Sequence, residues 1–201
     1  MIDHYYYKIH GWFVQENLFT QMVLSCNDID EYHFVEIGSW KGKSSSYMGV
    51  EIINSGKRIK FDCVDTWEGS EEHTSENGSE YDSKLKEKDY LYGVFLKNIE
   101  PVKSVINPIR MKSIEASKLY DDESLDFVFI DAAHDYQSVK EDIEHWFPKI
   151  KYGGWISGDD YDWEGVNRAV EYHFGNKVTI IKSSHNNLNT SVDKTWIIQK
   201  K

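Results

Sequence analysis

Short apolar runs rich in β-branched and aromatic residues alternate along the chain with stretches whose apolar positions recur every three to four residues. Phe34-Val35-Glu36-Ile37, Ile59 to Val64, Ser104 to Asn107, Leu125 to Ile130, Trp155-Ile156-Ser157, Val178 to Ile181 and Thr195 to Ile198 read as seven strands. Between them, Gly42 to Asn54, Ser83 to Ile99, a short turn after Ser113, Tyr136 to Ile150 and Trp163 to Phe174 carry helical spacing. Such alternation implies right-handed crossovers. The expected fold class is therefore α/β, a doubly wound, seven-stranded, mostly parallel sheet with helices on both faces. In a sheet of this kind the ligand crevice lies beyond the carboxyl ends of the strands, so the chemistry is sought in the loops there.

Two segments depart from the alternation. Residues 11–26 predict an amphipathic helix ahead of the first strand, with Phe13, Leu18, Met22 and Val23 as its apolar stripe, covering either the site or only the sheet. Residues 67–90 are polar, glycine-containing and highly charged, which fits a solvated loop or a mobile lid equally. One domain over residues 1–201 is expected, with 1–30 as an N-terminal helical cover and 67–95 as a lid or insert.

Composition narrows the partners. The 23 basic and 34 acidic residues give a net charge of −11, and no basic stripe is visible. That balance argues against nucleic acid or an anionic membrane as partner. Cys26 and Cys63 match no metal or redox spacing and read as structural thiols of a reducing compartment. The start, MIDHYYYKIHGW, has no apolar secretory core, and no stretch approaches the ~20 apolar residues of a membrane span. A soluble, cytoplasmic protein is expected.

The run from Phe34 to Ser46 places Gly38 and Gly42 between a buried strand and a helix. Gly38 lets the backbone turn sharply toward a ligand, while Gly42 and Ser44 leave donors near a helix N-terminus, where a carboxylate or phosphate fits. A purely structural turn is the alternative. The glycine spacing matches neither a GxxxxGK[ST] loop nor G-x-G-x-x-G. Asp65 ends the second strand 27 residues after Gly38, at the position where a carboxylate accepts hydrogen bonds from ribose hydroxyls. It could equally cap the turn that follows.

The densest chemistry follows strands four and five. Asp131 ends a nearly all-apolar strand, His134 follows three residues later, and Asp159 and Asp160 end the next strand. Carboxylates crowded at one sheet edge repel unless they share a proton or bind a cation, and an all-oxygen set suits Mg2+, Ca2+ or Mn2+ rather than zinc. Alternatively, Asp159 caps the last helix and Asp131 stands alone. His134 is a candidate general base, with a metal-ligand or structural role as alternatives. The remaining histidines, His73 and His185 among them, fall outside this cluster.

At these residues the chain resembles the class I S-adenosylmethionine-dependent methyltransferases, whose fold is Rossmann-like. The similarity spans roughly residues 33–165 and is most specific in EIGSWKGKSS, VDTWEG and FIDAAHDYQSVKEDIEHWFPKIKYGGWISGDDY. It is closest to the branch containing the macrolide-sugar O-methyltransferases and more distant from catechol O-methyltransferase. Both have a metal-binding Asp after strand four and an acidic pair, or Asp-Asn, 28 residues on, the separation of Asp131 and Asp159 here. The resemblance implies that Gly38, Ser39 and Ser44 hold the methionine end, Asp65 the ribose, Ser113 the adenine edge, and Asp131 the cofactor amino group as well as the metal. Glu36 and Trp67 complete the cofactor set. Asp131, Asp159 and Asp160 would hold the cation, and His134 stands where the catechol enzyme has its lysine base.

The expected activity is transfer of a methyl group from S-adenosylmethionine, assisted by Mg2+ or Mn2+, to a hydroxyl of a sugar, a glycan or another small vicinal diol. A metal-independent methyltransferase and a non-catalytic cofactor-binding module remain as alternatives. A homo-oligomer or a fusion to a glycosyltransferase is compatible with the sequence.

Overall fold

The computed structural model describes residues 1–70, 76, 82–183 and 193–201. Its seven strands are β1 (Tyr32–Ile37), β2 (Ile59–Asp65), β3 (Ile106–Arg110), β4 (Leu125–Ile130), β5 (Ile150–Gly158), β6 (Thr179–Ser183) and β7 (Asp193–Gln199). They form one sheet in the order β3-β2-β1-β4-β5-β7-β6. The first five pair in parallel, and β7 runs antiparallel to both neighbours. The helices are α1 (Glu16–Ser25), α2 (Lys43–Ser55), α3 (Tyr90–Ile99), α4 (Ser113–Ser117), α5 (Tyr136–Trp146) and α6 (Glu164–Phe174).

Strand periodicity decides which side chains reach which layer. Phe34, Phe61, Cys63, Phe127 and Phe129 face α1, α2 and α3 in one core. Val35, Ile37, Val64, Val128, Ile130 and Ile156 face α4, α5 and α6 in the other. The central strands are apolar on both faces because both faces are covered, as parallel sheets require. The expected α/β architecture is therefore present, and the reversal of strand order between β1 and β4 opens the crevice at their carboxyl ends.

Several boundaries differ from the sequence expectation. The helix expected over 11–26 starts only at Glu16. Ahead of it, Lys43 Nζ donates to the Gly11 carbonyl at 2.5 Å and Gln15 Nε2 to Thr195 Oγ1 at 3.0 Å, so tertiary hydrogen bonds hold residues 11–15 in a non-helical strap. The helix expected over 83–99 is a 3-10 turn at Ser83–Lys86 followed by α3, interrupted where Asp89 takes φ +62°. Strand β3 lies two to three residues beyond Ser104 to Asn107 and contains Pro108, which is tolerated on an edge strand. Pro148 ends α5 early, and Ile150 already opens β5. Part of the expected lid, residues 71–75 and 77–81 with His73, lies outside the described residues, as does His185.

Candidate active site

The carboxyl ends of β1 and β4 meet almost in contact. Gly38 leaves β1 with φ +91°, and a Cβ there would lie 1.9 Å from the Asp131 carbonyl oxygen. Only glycine satisfies both the backbone angle and the space. Beyond the strands, the Asp131 amide donates to Ile37 at 2.8 Å and the Asp159 amide to Ile130 at 3.1 Å, so the exits of β1, β4 and β5 stay in register.

This register gathers Asp131, His134 and Asp160, with one ligand atom from each lying within 4.8 Å of the others. His134 Nε2 is 3.0 Å from Asp160 Oδ2. Asp160 adopts φ +54°, a left-handed conformation that Asp tolerates better than most residues and that recurs in functional loops. Asp131 keeps a small opening to solvent, yet protein surrounds it on nearly every side. Burial, then the charges of Asp159, Asp160 and Glu36, push its carboxyl well above the usual carboxylate range. Burial and the Asp160 charge push Asp159 up to about 6. Negative charge is thus concentrated here without a matching basic side chain among these causes, which is the electrostatic setting a cation relieves.

Among the described residues, the set that could hold a cation is Asp131, His134 and Asp160, while Asp159 of the expected set lines the same cleft and acts on Asp131 through its charge. Consecutive residues point in different directions, and the turn that sends Asp160 toward His134 sends Asp159 toward β7. There Thr195 Oγ1 lies 3.3 Å from Asp159 Oδ1 and accepts from Gln15 Nε2 at 3.0 Å. His134, the expected base, thus lies beside Asp131 and Asp160.

The loop after β1 combines a buried acid with hydroxyls. Glu36 is fully enclosed, and burial pushes its carboxyl up while the hydroxyls of Ser44 and Ser45 oppose the rise. The Ser45 hydroxyl donates to Glu36 Oε2. Glu36 Oε1 and Ser39 Oγ are buried without a hydrogen-bond partner among the described residues. Asp65 makes the turn contacts that its alternative reading anticipated: Oδ1 accepts from the Trp67 amide at 2.7 Å and Oδ2 from the Trp40 amide at 2.8 Å.

Trp67 and Ser113, assigned to the cofactor by the resemblance, are engaged by the protein's own residues. Trp67 is 2% exposed, packs on Tyr92 and Phe95, and donates its indole N–H to the Trp40 carbonyl at 2.9 Å. The Ser113 hydroxyl donates to Asp142 on α5 and accepts from Trp146 Nε1 at 2.8 Å. Burial drives Asp142 up to about 6 against that hydrogen bond.

Three residues near the site escaped the sequence reading. Gln15 and Thr195 are buried and reach Asp159 from opposite ends of the chain, a relation no local motif could carry. Trp163 follows the Asp159-Asp160 pair closely and was visible as a tryptophan beside it. Its half-exposed ring lies 4.8 Å from the His134 ring.

Residues 35–161, more than half of the chain, match the model of a family described as a methyltransferase domain. A putative O-methyltransferase from Klebsiella pneumoniae has a similar structure, with TM-score 0.62, 15% identity, and coverage of 96% of this chain and 84% of that one. An O-methyltransferase from Bacillus cereus in complex with SAH gives 0.59 and 15%, covering 96% and 86%. An rRNA methylase from Streptococcus thermophilus gives 0.60 and 12%, covering 91% and 94%. No curated protein matches the sequence. The rRNA methylase overturns the expectation that nucleic acid is excluded as a partner: the same fold serves RNA methylation, and a net charge summed over a chain does not report the potential at one crevice. Among the described residues, no helix is long and apolar enough to cross a membrane. The family match, on a seven-stranded, mostly parallel sheet of the expected α/β class, makes this chain a member of the class I S-adenosylmethionine-dependent methyltransferases.

Proposed function

We propose that the protein methylates a hydroxyl of a vicinal diol on a sugar, a glycan or another small molecule, with the help of a divalent cation. The observation that carries this reading is the convergence of Asp131, His134 and Asp160 beside the Gly38 turn.

The residues fit both groups. Buried Glu36 Oε1 and Ser39 Oγ, which lack a hydrogen-bond partner among the described residues, would offer polar groups to the ammonium and carboxylate of the cofactor, and Asp65, at the end of β2, would meet the ribose while holding the Trp40 and Trp67 amides. Glu36, Gly38, Ser39, Ser44, Asp65 and Asp131 would hold S-adenosylmethionine, which supplies a methyl group made electrophilic by its sulfonium. Asp131 and Asp160 would hold the cation, which acidifies a hydroxyl bound to it. Such oxygen donors suit Mg2+ or Mn2+.

The chain's own residues do the rest. Asp160 fixes the His134 ring at 3.0 Å, so that the imidazole is oriented to accept the proton of the reacting hydroxyl. The Gly38 and Asp131 backbones hold the cofactor loop against that base, which limits the freedom of the reacting pair. The direct His134–Asp160 contact also favours a second reading, a metal-independent methyltransferase in which this pair acts alone.

Methyl transfer from labelled donor to a panel of diols, with and without chelator, separates the two. We expect chelator to stop transfer and Mn2+ to restore it. Asp160→Ala should lose activity by roughly 100-fold while retaining S-adenosylhomocysteine binding. Full activity in excess chelator rejects the cation role.

A further inference from the structure

Trp163 stands apart from the other aromatic residues around the crevice. It is 47% exposed, directly before α6, in a run of acids, Asp159-Asp160-Tyr161-Asp162-Trp163-Glu164. Its position is built rather than incidental. The Trp163 amide donates to the Asp160 carbonyl at 2.8 Å, which closes the turn begun by the left-handed Asp160. Two residues on, a Cβ at Gly165 would lie 2.2 Å from the His134 carbonyl oxygen, so α6 starts hard against the His134 backbone. The two rings consequently sit 4.8 Å apart at 42°, and His134 meets the Asp160 carboxylate on its Nε2. An apolar plate, an imidazole and a carboxylate are held together at the mouth of the crevice.

We propose that Trp163 is the acceptor platform and that the acceptor is a neutral pyranose ring with vicinal hydroxyls; this rests on the methyl-transfer reading above. A pyranose is two-faced. Its axial C–H groups form an apolar surface whose positive edge matches the negative face of an indole, while its hydroxyls project from the ring edge. Seated on Trp163, such a ring turns its hydroxyls toward His134 and Asp160. The acids at 159, 160, 162 and 164 favour a neutral ring over one bearing phosphate, because like charges repel at this range.

The test uses the full chain labelled with 15N at the indole nitrogens and loaded with S-adenosylhomocysteine. The Trp163 Nε1–H signal is assigned by its loss in Trp163→Phe. Methyl β-D-glucopyranoside and methyl α-L-rhamnopyranoside are titrated, with adenosine and catechol as comparators, and the same pyranosides are assayed as methyl acceptors. We expect the pyranosides to shift the Trp163 signal, and Trp163→Ala to weaken binding and raise KM by about tenfold, with kcat nearly unchanged and Trp163→Phe largely restoring both. Pyranosides that leave the Trp163 signal unmoved, or adenosine or catechol moving it in their place, overturn the proposal. Pyranosides that stack on Trp163 but accept no methyl group leave the platform standing and remove the transfer reading. Methyl transfer with KM unchanged in Trp163→Ala removes the platform and keeps the transfer reading.

Discussion

The backbone of Gly38 passes so close to Asp131 that a side chain on one would overlap the carbonyl oxygen of the other at 1.9 Å. This contact joins the loop after β1 to the acidic cluster and leaves no room for a side chain at the first glycine of EIGSWKGKSS. Gly38→Ala adds a steric overlap to an unfavourable positive φ. We expect a loss of stability of about 3 kcal/mol or more, read by urea unfolding, and no detectable S-adenosylhomocysteine binding by calorimetry in the folded fraction. Near-native stability and affinity would show that the two loops can separate.

A cation that binds the folded chain through Asp131 and Asp160 must stabilise it. At a hundredfold excess of Mn2+ over its Kd the gain is about 2.7 kcal/mol, visible as a rise in Tm. Asp160→Ala should lose this rise while keeping the fold. An equal shift in that variant would place the ion elsewhere.

Asp142 gives a pH dependence of defined sign. Burial pushes its carboxyl up to about 6 in the folded protein, so between the unfolded value near 3.8 and about 6 the folded state binds the extra proton. That contribution to stability is fully present below the unfolded value and is lost as pH rises through this window, amounting to about 3 kcal/mol over the interval. Asp142→Asn removes the titration while preserving shape. Relative to wild type, its stability should fall less between pH 4 and 6, as measured by chemical denaturation. Parallel curves for the two proteins would refute the assignment.

The N-terminal strap is fastened through Gln15 Nε2 and Thr195 Oγ1 at 3.0 Å, with both residues buried. Thr195→Val removes the hydroxyl to which Gln15 Nε2 donates, at a cost of about 1–3 kcal/mol. Proteolysis near residues 11–15 should accelerate severalfold in the variant, whereas cleavage of α5 should not. Unchanged protection would mean that the aromatic contacts of Phe13 hold the strap alone.

The parts of the site legible in the sequence were those carried by local pattern. The apolar run Leu125 to Ile130 ended in Asp131 because a buried strand must surface somewhere, and its first polar residue marks the crevice. Gly38 was legible for the same reason. Asp65 left two readings, and its contacts to the Trp40 and Trp67 amides follow the turn-capping one. For Trp67 and Ser113 the sequence did not reveal that Phe95 and Tyr92, or Asp142 and Trp146, would engage their side chains.

Hydrophobic period, turn residues and strand-end acids by themselves determined the alternation of strands and helices, the crevice edge and the candidates Asp131, His134, Asp159 and Asp160. These are local consequences of burial and backbone sterics, and they act over a few residues. Tertiary structure alone decided that Asp159 turns to Thr195 while Asp160 turns to His134, and that Gln15 reaches across from the other end of the chain. Side-chain direction after a strand depends on what the neighbouring strand and helix offer, and those neighbours are distant in sequence.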